Sequence, residues 1–201
     1  MRTKTAILLA LLVFQLTAYA QQTYQLDVKK SKILWKAPQN MGNRHYGYLL
    51  FNSGSLNYST TGVPVDGLFS LDMKSIKSID LSLEAANLLV EKRLKSENYF
   101  SANKYPQALM KVKKIAKTAN PILFEVTGDL TIKGITNPVE FTAMIKTKGD
   151  VINVSADAKI DRRKWNIDHY SNDNPWDLLS AIQDNFLANQ IPVSLNLVFK
   201  K

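Results

Sequence analysis

Apolar side chains recur at every second position through much of this chain. In Val139, Phe141, Ala143 and Ile145 they alternate with Glu140, Thr142, Met144 and Lys146. An extended backbone sends successive side chains to opposite faces, so this pattern describes a strand with one buried and one wet side. The pattern recurs in Phe69, Leu71, Met73; in Phe124, Val126, Gly128, Leu130, Ile132; in Val154, Ala156, Ala158, Ile160; and in Ile191, Val193, Leu195, Leu197, Phe199. Turn residues separate the runs at Gly62 to Pro64, Asn120 to Pro121, Gly134 to Pro138 and Gly149 to Asp150. Many strands, short turns and no alternating helices give an antiparallel sandwich or barrel. Period alone does not choose between them. Gly42, Gly47, Gly54, Gly67 and Gly128 lie in or beside strand runs, where they permit the bulges and bends that closing a sheet demands, and so lean toward the barrel.

Two segments break the rhythm. Asn174-Pro175-Trp176-Asp177 reads as a helix start, with a capping side chain, a proline in the first turn and an acid at the positive end. Trp176, Leu179, Ile182 and Phe186 then share a face. A second helical segment is expected from about Leu88 to Tyr105, with Val90 and Leu94 on one face and Ser96 capping a further turn. Both are placed to lid a barrel mouth.

Arg2 and Lys4, an apolar stretch from Ala6 to Leu16, and Ala18-Tyr19-Ala20 give the charged, apolar and small-residue order of a secretory signal, with cleavage expected after Ala20. Retention of the stretch as an anchor is the alternative, but it is shorter than the roughly 20 residues a membrane-spanning helix needs. The expected domains are therefore a signal peptide at 1–20 and one domain at 21–201. The chain has no cysteine, so neither disulfides nor a lipid-modified cysteine contribute, and stability must come from the core. The formal charge of +9 becomes +7 once Arg2 and Lys4 leave. The lysines, among them Lys29, Lys30, Lys74, Lys77, Lys92, Lys111, Lys113, Lys114, Lys146 and Lys148, are spread rather than blocked. That describes a solvated face and not a nucleic-acid site.

Catalytic patterns are missing. The two histidines, His45 and His169, sit in no metal-spaced cluster. No serine stands in a Gly-x-Ser-x-Gly elbow, and no glycine loop has phosphate-cradling spacing. Asp157 and Asp161 fall in a strand whose polar face carries Asp157 to solvent. The expectation is a protein that is not an enzyme and uses no cofactor or metal.

Ordered motifs add a resemblance. They are Tyr24-Gln25-Leu26-Asp27 with Ile33-Leu34-Trp35; His45-x-Gly47 leading to Phe51 and Gly54; Gly67-Leu68-Phe69 with Leu71-Asp72-Met73-Lys74-Ser75-Ile76; Leu94-Lys95-Ser96-Glu97-Asn98-Tyr99-Phe100 with Lys104-Tyr105-Pro106; Gly128 through Gly134; and Asp161-Arg162-x-x-Trp165. Across Tyr24 to Phe199 the chain resembles the YceI-like family of periplasmic, lipocalin-like lipid-binding proteins. The resemblance implies a mainly β fold, a lipocalin-like antiparallel β-barrel of about eight strands with one or two short helices near the mouth. It also implies a periplasmic location and an interior that holds a polyisoprenoid, isoprenoid quinone or prenyl phosphate as ligand. The stretch from Ser171 to Asn189 looks longer than the family's usual link before the last strand.

A long apolar tail is bound by burial, at about 25 cal/mol per Å² of apolar area, without any catalytic group. Alternation places Trp35, Phe51, Phe69, Leu71, Met73, Phe141 and Ile160 inward, with Leu94, Tyr99, Phe100 and Trp165 near a mouth. Core packing is the default role of each, since every barrel fills part of its interior. A polar head needs donors at the rim, for which His45, Arg162, Arg163 and Tyr170 are the candidates. For Arg162 a structural pair with Asp72 or Asp129 competes equally. Two other functions stand beside the carrier: an enzyme acting on a bound prenyl lipid through His45 or His169, and a basic protein held to anionic membranes by its lysines. Transient contact with a membrane surface and a monomeric or homodimeric state complete the expectations.

Overall fold

The alternating segments form nine antiparallel strands among the residues that the computed structural model describes, namely 22–38, 44–79, 83–167 and 189–201. In chain order they are β1 (Gln22–Leu26), β2 (Lys32–Pro38), β3 (Arg44–Tyr58), β4 (Pro64–Ser78), β5 (Gln107–Lys117), β6 (Leu123–Ile132), β7 (Ile135–Lys148), β8 (Val151–Asp161) and β9 (Gln190–Lys200). Helix α1 (Glu84–Lys95) follows β4, and a turn of 3-10 helix (Arg162–Trp165) follows β8. The neighbours run β3-β2-β9-β8-β7-β6-β5-β4, and β4 pairs back onto β3. The sheet is thus a closed barrel, not a sandwich, and closure removes the exposed edges that invite aggregation.

Nine strands occupy eight wall positions. β1 pairs with the lower part of β3, from Gln22↔Tyr58 to Gln25↔Ser55, and β2 with its upper part, from Ile33↔Leu49 to Pro38↔Arg44. Both also pair with β9, so they act as one interrupted strand. The interruption is mended by local polar groups. Asp27 N–H donates to the Val198 carbonyl at 2.8 Å, and the buried Ser31 hydroxyl accepts from Val198 N–H at 2.9 Å. Asp27 also pairs with Lys200 at 2.8 Å across the same seam.

The glycine argument holds at specific places. The β3–β4 ladder shifts register between Tyr48 and Leu50 and between Phe51 and Ser53, beside Gly47 and Gly54. A Cβ at Gly47 would collide with the Lys77 carbonyl and the Trp35 ring. Only glycine lets the tryptophan lie across β3 there. Gly134, at φ +74°, with Lys133 at φ +52°, makes the tight β6–β7 hairpin.

Two sequence readings need correcting. The helical segment expected from Leu88 to Tyr105 starts earlier, at Glu84, and ends at Lys95; Ser96 closes the helix, its hydroxyl donating to the Arg93 carbonyl at 2.7 Å. Beyond it, Ser101 N–H donates back to the Ser96 carbonyl at 2.7 Å and the chain turns through to Tyr105. The turn assigned to Gly134 through Pro138 is only Lys133–Gly134, because β7 already begins at Ile135 and contains Pro138. The helix expected from Asn174 and the signal at 1–20 lie outside the described residues.

The hairpins β3–β4, β5–β6 and β7–β8 gather at one end, called the lower end here. Aromatic side chains close it: Tyr24 and Tyr58 stand 5.1 Å apart between ring centroids, and Phe69 and Phe199 6.0 Å. Ile152 and Phe199 are fully buried beside them. α1, the 3-10 helix, the β6–β7 turn and the paired Pro38–Arg44 ends of β2 and β3 lie at the upper end.

Candidate functional site

Inward positions on all eight wall positions surround an internal cavity of about 210 Å³. Among the described residues its wall is apolar and carries no titratable side chain: Ile, Leu, Val, Ala, Phe, Met and one Trp supply it. On the scale on which an apolar void of about 150 Å³ accepts one benzene ring, this is room for about eight carbon-sized groups. An apolar void of this kind has nothing to offer water and much to offer hydrocarbon.

Of the residues expected to meet a ligand, Trp35, Phe51, Phe69, Leu71, Met73, Leu94, Phe100, Phe141 and Ile160 line this cavity. Alternation brings the strand residues there; Leu94 arrives on the inner face of α1. The cavity wall also includes Ile33, Leu49 and Met110, which sequence reasoning did not name as ligand contacts, and Val139, Ala158 and Leu195, which it named only as alternating strand positions. The same period-two signal identifies them.

Tyr99, Trp165, His45 and Arg162 are buried but do not belong to the lining. Tyr99 packs beneath the Arg93 guanidinium, which sits 5.4 Å from its ring. His45 takes an inward position at the top of β3. Arg162 donates from a guanidinium nitrogen to the Ile167 carbonyl at 3.0 Å, and the Trp165 indole donates to the Leu130 carbonyl on β6 at 3.0 Å. Asp161 caps the same turn, accepting from Arg163 N–H at 3.2 Å and from its side chain at 2.9 and 2.7 Å. The Arg163 guanidinium holds the Asp161 carboxyl below the usual carboxylate range. The Asp-Arg-x-x-Trp motif therefore ties the 3-10 helix to the barrel. Asp129 is paired with Lys113 at 2.5 Å. Tyr170 and His169 lie outside the described residues, and among the described residues no cluster could hold a metal.

α1 is seated in an unusual sense. Its buried positions are Glu91 and Leu94, while Leu88 and Leu89 are 50% and 69% exposed, and Leu83 just before it 70%. Glu91 is the anchor. Its carboxylate accepts from Ser78 N–H at 3.2 Å and pairs with Lys77 at 3.1 Å and Lys95 at 3.7 Å. The end of β4 and the helix are thereby joined over the cavity, so that Leu94 can reach it.

Comparison with known proteins agrees with this geometry. A family model described as the YceI-like domain matches residues 24–199. Protein YceI of Shigella flexneri is 28% identical over 115 residues, which are 52% of this chain and 59% of that protein. The UPF0312 protein VPA0850 of Vibrio parahaemolyticus is 31% identical over 127 residues, 60% of this chain and 61% of its own length. The matched stretch thus spans about three fifths of these curated relatives. Among solved structures, Burkholderia cenocepacia BcnA superposes with a TM-score of 0.65 at 20% identity, covering 86% of this chain and 98% of that one. A polyisoprenoid binding domain from Saccharophagus degradans gives 0.60 at 15% identity, covering 88% and 97%.

Proposed function

The chain belongs to the YceI-like domain family, and from that premise we propose that its barrel holds a long apolar molecule for storage or transport. The ligand is a polyisoprenoid, an isoprenoid quinone or a similar amphiphile, and the protein is a carrier rather than a catalyst. The observation that carries this is the space between the strands, lined among the described residues by apolar side chains alone. About eight buried carbon-sized groups at ~0.8 kcal/mol each amount to a gross gain of about 6–7 kcal/mol in this space, before the cost of association is subtracted. The polyisoprenoid-binding domain with the same barrel supports the ligand class. Against the alternative of an enzyme working through His45 stands the cavity wall, whose described residues include no group able to move a proton; His169, the other candidate, lies outside the described residues.

The same proposal places the working protein in the periplasm, after removal of residues 1–20. Its support is the order of charged, apolar and small residues there. A cargo of this kind resides in bilayers, and the outward-facing leucines of α1 at the upper end support brief contact with a membrane surface, by a monomer or homodimer.

The test is lipid extraction and mass spectrometry of protein purified from the native envelope. A prenyl lipid or quinone recovered in near-stoichiometric amount is expected. An empty interior that also takes up no quinone or prenyl alcohol in vitro refutes the proposal.

A further inference from the structure

The barrel wall is not zipped along its whole circumference. β6 pairs with β7 over its full length, from Leu123↔Met144 to Ile132↔Ile135. β8 pairs with β9 from Val151 to Asp161. Between β7 and β8, however, pairing starts at Lys148↔Val151 and stops at Ala143↔Ala156. Above that point β7 continues through Ile135–Thr142 and β8 through Asp157–Asp161 with no ladder joining them. At about 3.3 Å per residue, the unpaired stretch of β8 borders an opening roughly 17 Å long.

Residue choice fits an opening. Pro138 sits in the unpaired half of β7; proline has no N–H to give a ladder and is confined to strand edges. The last joined pair, Ala143 and Ala156, is buried, whereas Phe141 and Ala158, the next inward residues, are partly exposed and line the cavity. Outward positions along the opening, Glu140, Thr142, Asp157 and Lys159, are exposed and polar.

Nor is this a frayed strand end, because its top is bridged. The Asn137 side-chain amide donates to the Lys164 carbonyl at 2.8 Å, and Lys133 Nζ donates to the Asn166 carbonyl at 2.8 Å. Together with the Trp165–Leu130 bond these fasten the 3-10 helix across β6 and β7 above the opening. What remains is a window bounded by the Ala143–Ala156 pair below and the 3-10 helix above.

We infer that this window is the lateral portal through which an aliphatic or prenyl chain passes into the cavity, an inference that rests on the carrier function proposed above. Pairing also stops short between β2 and β9 above Trp35↔Val193 and between β4 and β5 below Gly67↔Val112, over three residues of the shorter strand in each case; between these two half-strands the gap is longest, and there is no ladder hydrogen bond to break. Apolar side chains on the inner rim favour hydrocarbon, and the polar outer rim leaves a small head group in water.

The test exploits the absence of cysteine from the chain. Extending the register from Ala143↔Ala156 sets Glu140 opposite Lys159, so Glu140→Cys with Lys159→Cys closes the window when oxidised. The probe is cis-parinaric acid, a conjugated fatty acid that fluoresces when shielded from water, with uptake followed by stopped flow. Oxidation should slow uptake about tenfold or more, and reductant should restore it, since closing the window removes the longest stretch of wall with no ladder hydrogen bond to break. A control disulfide from Lys111→Cys with Asp129→Cys, across a paired part of the wall, should leave the rate alone. Ala158→Phe, which plugs the window without any disulfide, should slow uptake likewise. Equal rates for the oxidised and reduced forms, or a normal rate for Ala158→Phe, overturn the portal. Failure of the unmodified protein to bind the probe at all overturns the carrier function instead.

Discussion

Ala156→Phe separates a cavity that serves a ligand from a core that merely holds the barrel together. Ala156 lies on β8, faces inward opposite Ala143 and lines the cavity. A void of about 150 Å³ accepts one benzene ring, so a phenyl group projecting from position 156 takes up the larger part of the 210 Å³ available. It displaces about seven carbon-sized groups of a bound chain. At ~0.8 kcal/mol each the loss is about 5–6 kcal/mol, or some four decades of affinity. A flexible chain recovers part of this by retreating, so a loss of at least about 100-fold is expected. Stability should move the other way. Insertion into a filled core costs about 1–3 kcal/mol, whereas a ring entering empty apolar space gains contacts. Fluorescence titration with cis-parinaric acid and urea unfolding of the same ligand-free samples measure both. Unchanged affinity in a folded variant, or destabilisation of about 3 kcal/mol, refutes the reasoning.

Three further outcomes are expected. Glu91→Ala removes the acceptor of Ser78 N–H and the partner of Lys77 and Lys95; it should cost about 2 kcal/mol, because both lysines can return to water, and hydrogen exchange should rise in α1 but not in β6 or β7. Lys200, the largest influence, holds the Asp27 carboxyl below its ordinary value of 3.8. A depressed carboxyl stabilises the fold fully above its unfolded value and loses that contribution as pH falls through the lower folded one, so Asp27→Asn should flatten the fall in urea midpoint below about pH 4. Leu88→Glu with Leu89→Glu should change unfolding free energy by less than about 0.5 kcal/mol, since both side chains are exposed. The same pair should abolish flotation with anionic liposomes, and retained flotation argues against membrane contact through α1.

Strand residues were legible because a sheet has one period and one inside. Once Phe69, Leu71 and Met73 alternate, their facing is fixed, and the same rule reaches Met110 and Val139. The bounds of α1 were less legible. Its inner face uses Glu91, held by Ser78 and Lys77 from another element as well as by Lys95 of its own helix, so the shared face of Val90 and Leu94 did not mark where the helix begins or ends. Pro138 was taken for turn chemistry because a proline inside a strand makes sense only where a neighbour is missing, and that vacancy is a property of the closed barrel. Trp165 and Arg162 share the motif's spacing with a rim site, but their partners are carbonyls at Leu130 and Ile167. Which backbone oxygen a side chain finds is decided by tertiary approach.

Empty space also has a thermodynamic consequence. At about 24 cal/mol per Å³, a void of 210 Å³ costs the unoccupied barrel about 5 kcal/mol relative to one packed solid. That is a large share of the 5–15 kcal/mol by which domains are stable. The wall offsets it through closure, through the Ser31 bond that mends the β1–β2 seam and through the aromatic plug at the lower end. A hydrocarbon chain entering the void restores the missing contacts, so occupancy and folding are linked. Ligand at 100 times its Kd should add about 2.7 kcal/mol to unfolding. Protein stripped of lipid should therefore melt several degrees below protein isolated with its cargo, and the difference should shrink in Ala156→Phe, whose interior is already filled. Identical melting of stripped and loaded wild-type protein would mean that the space inside is not where the cargo sits.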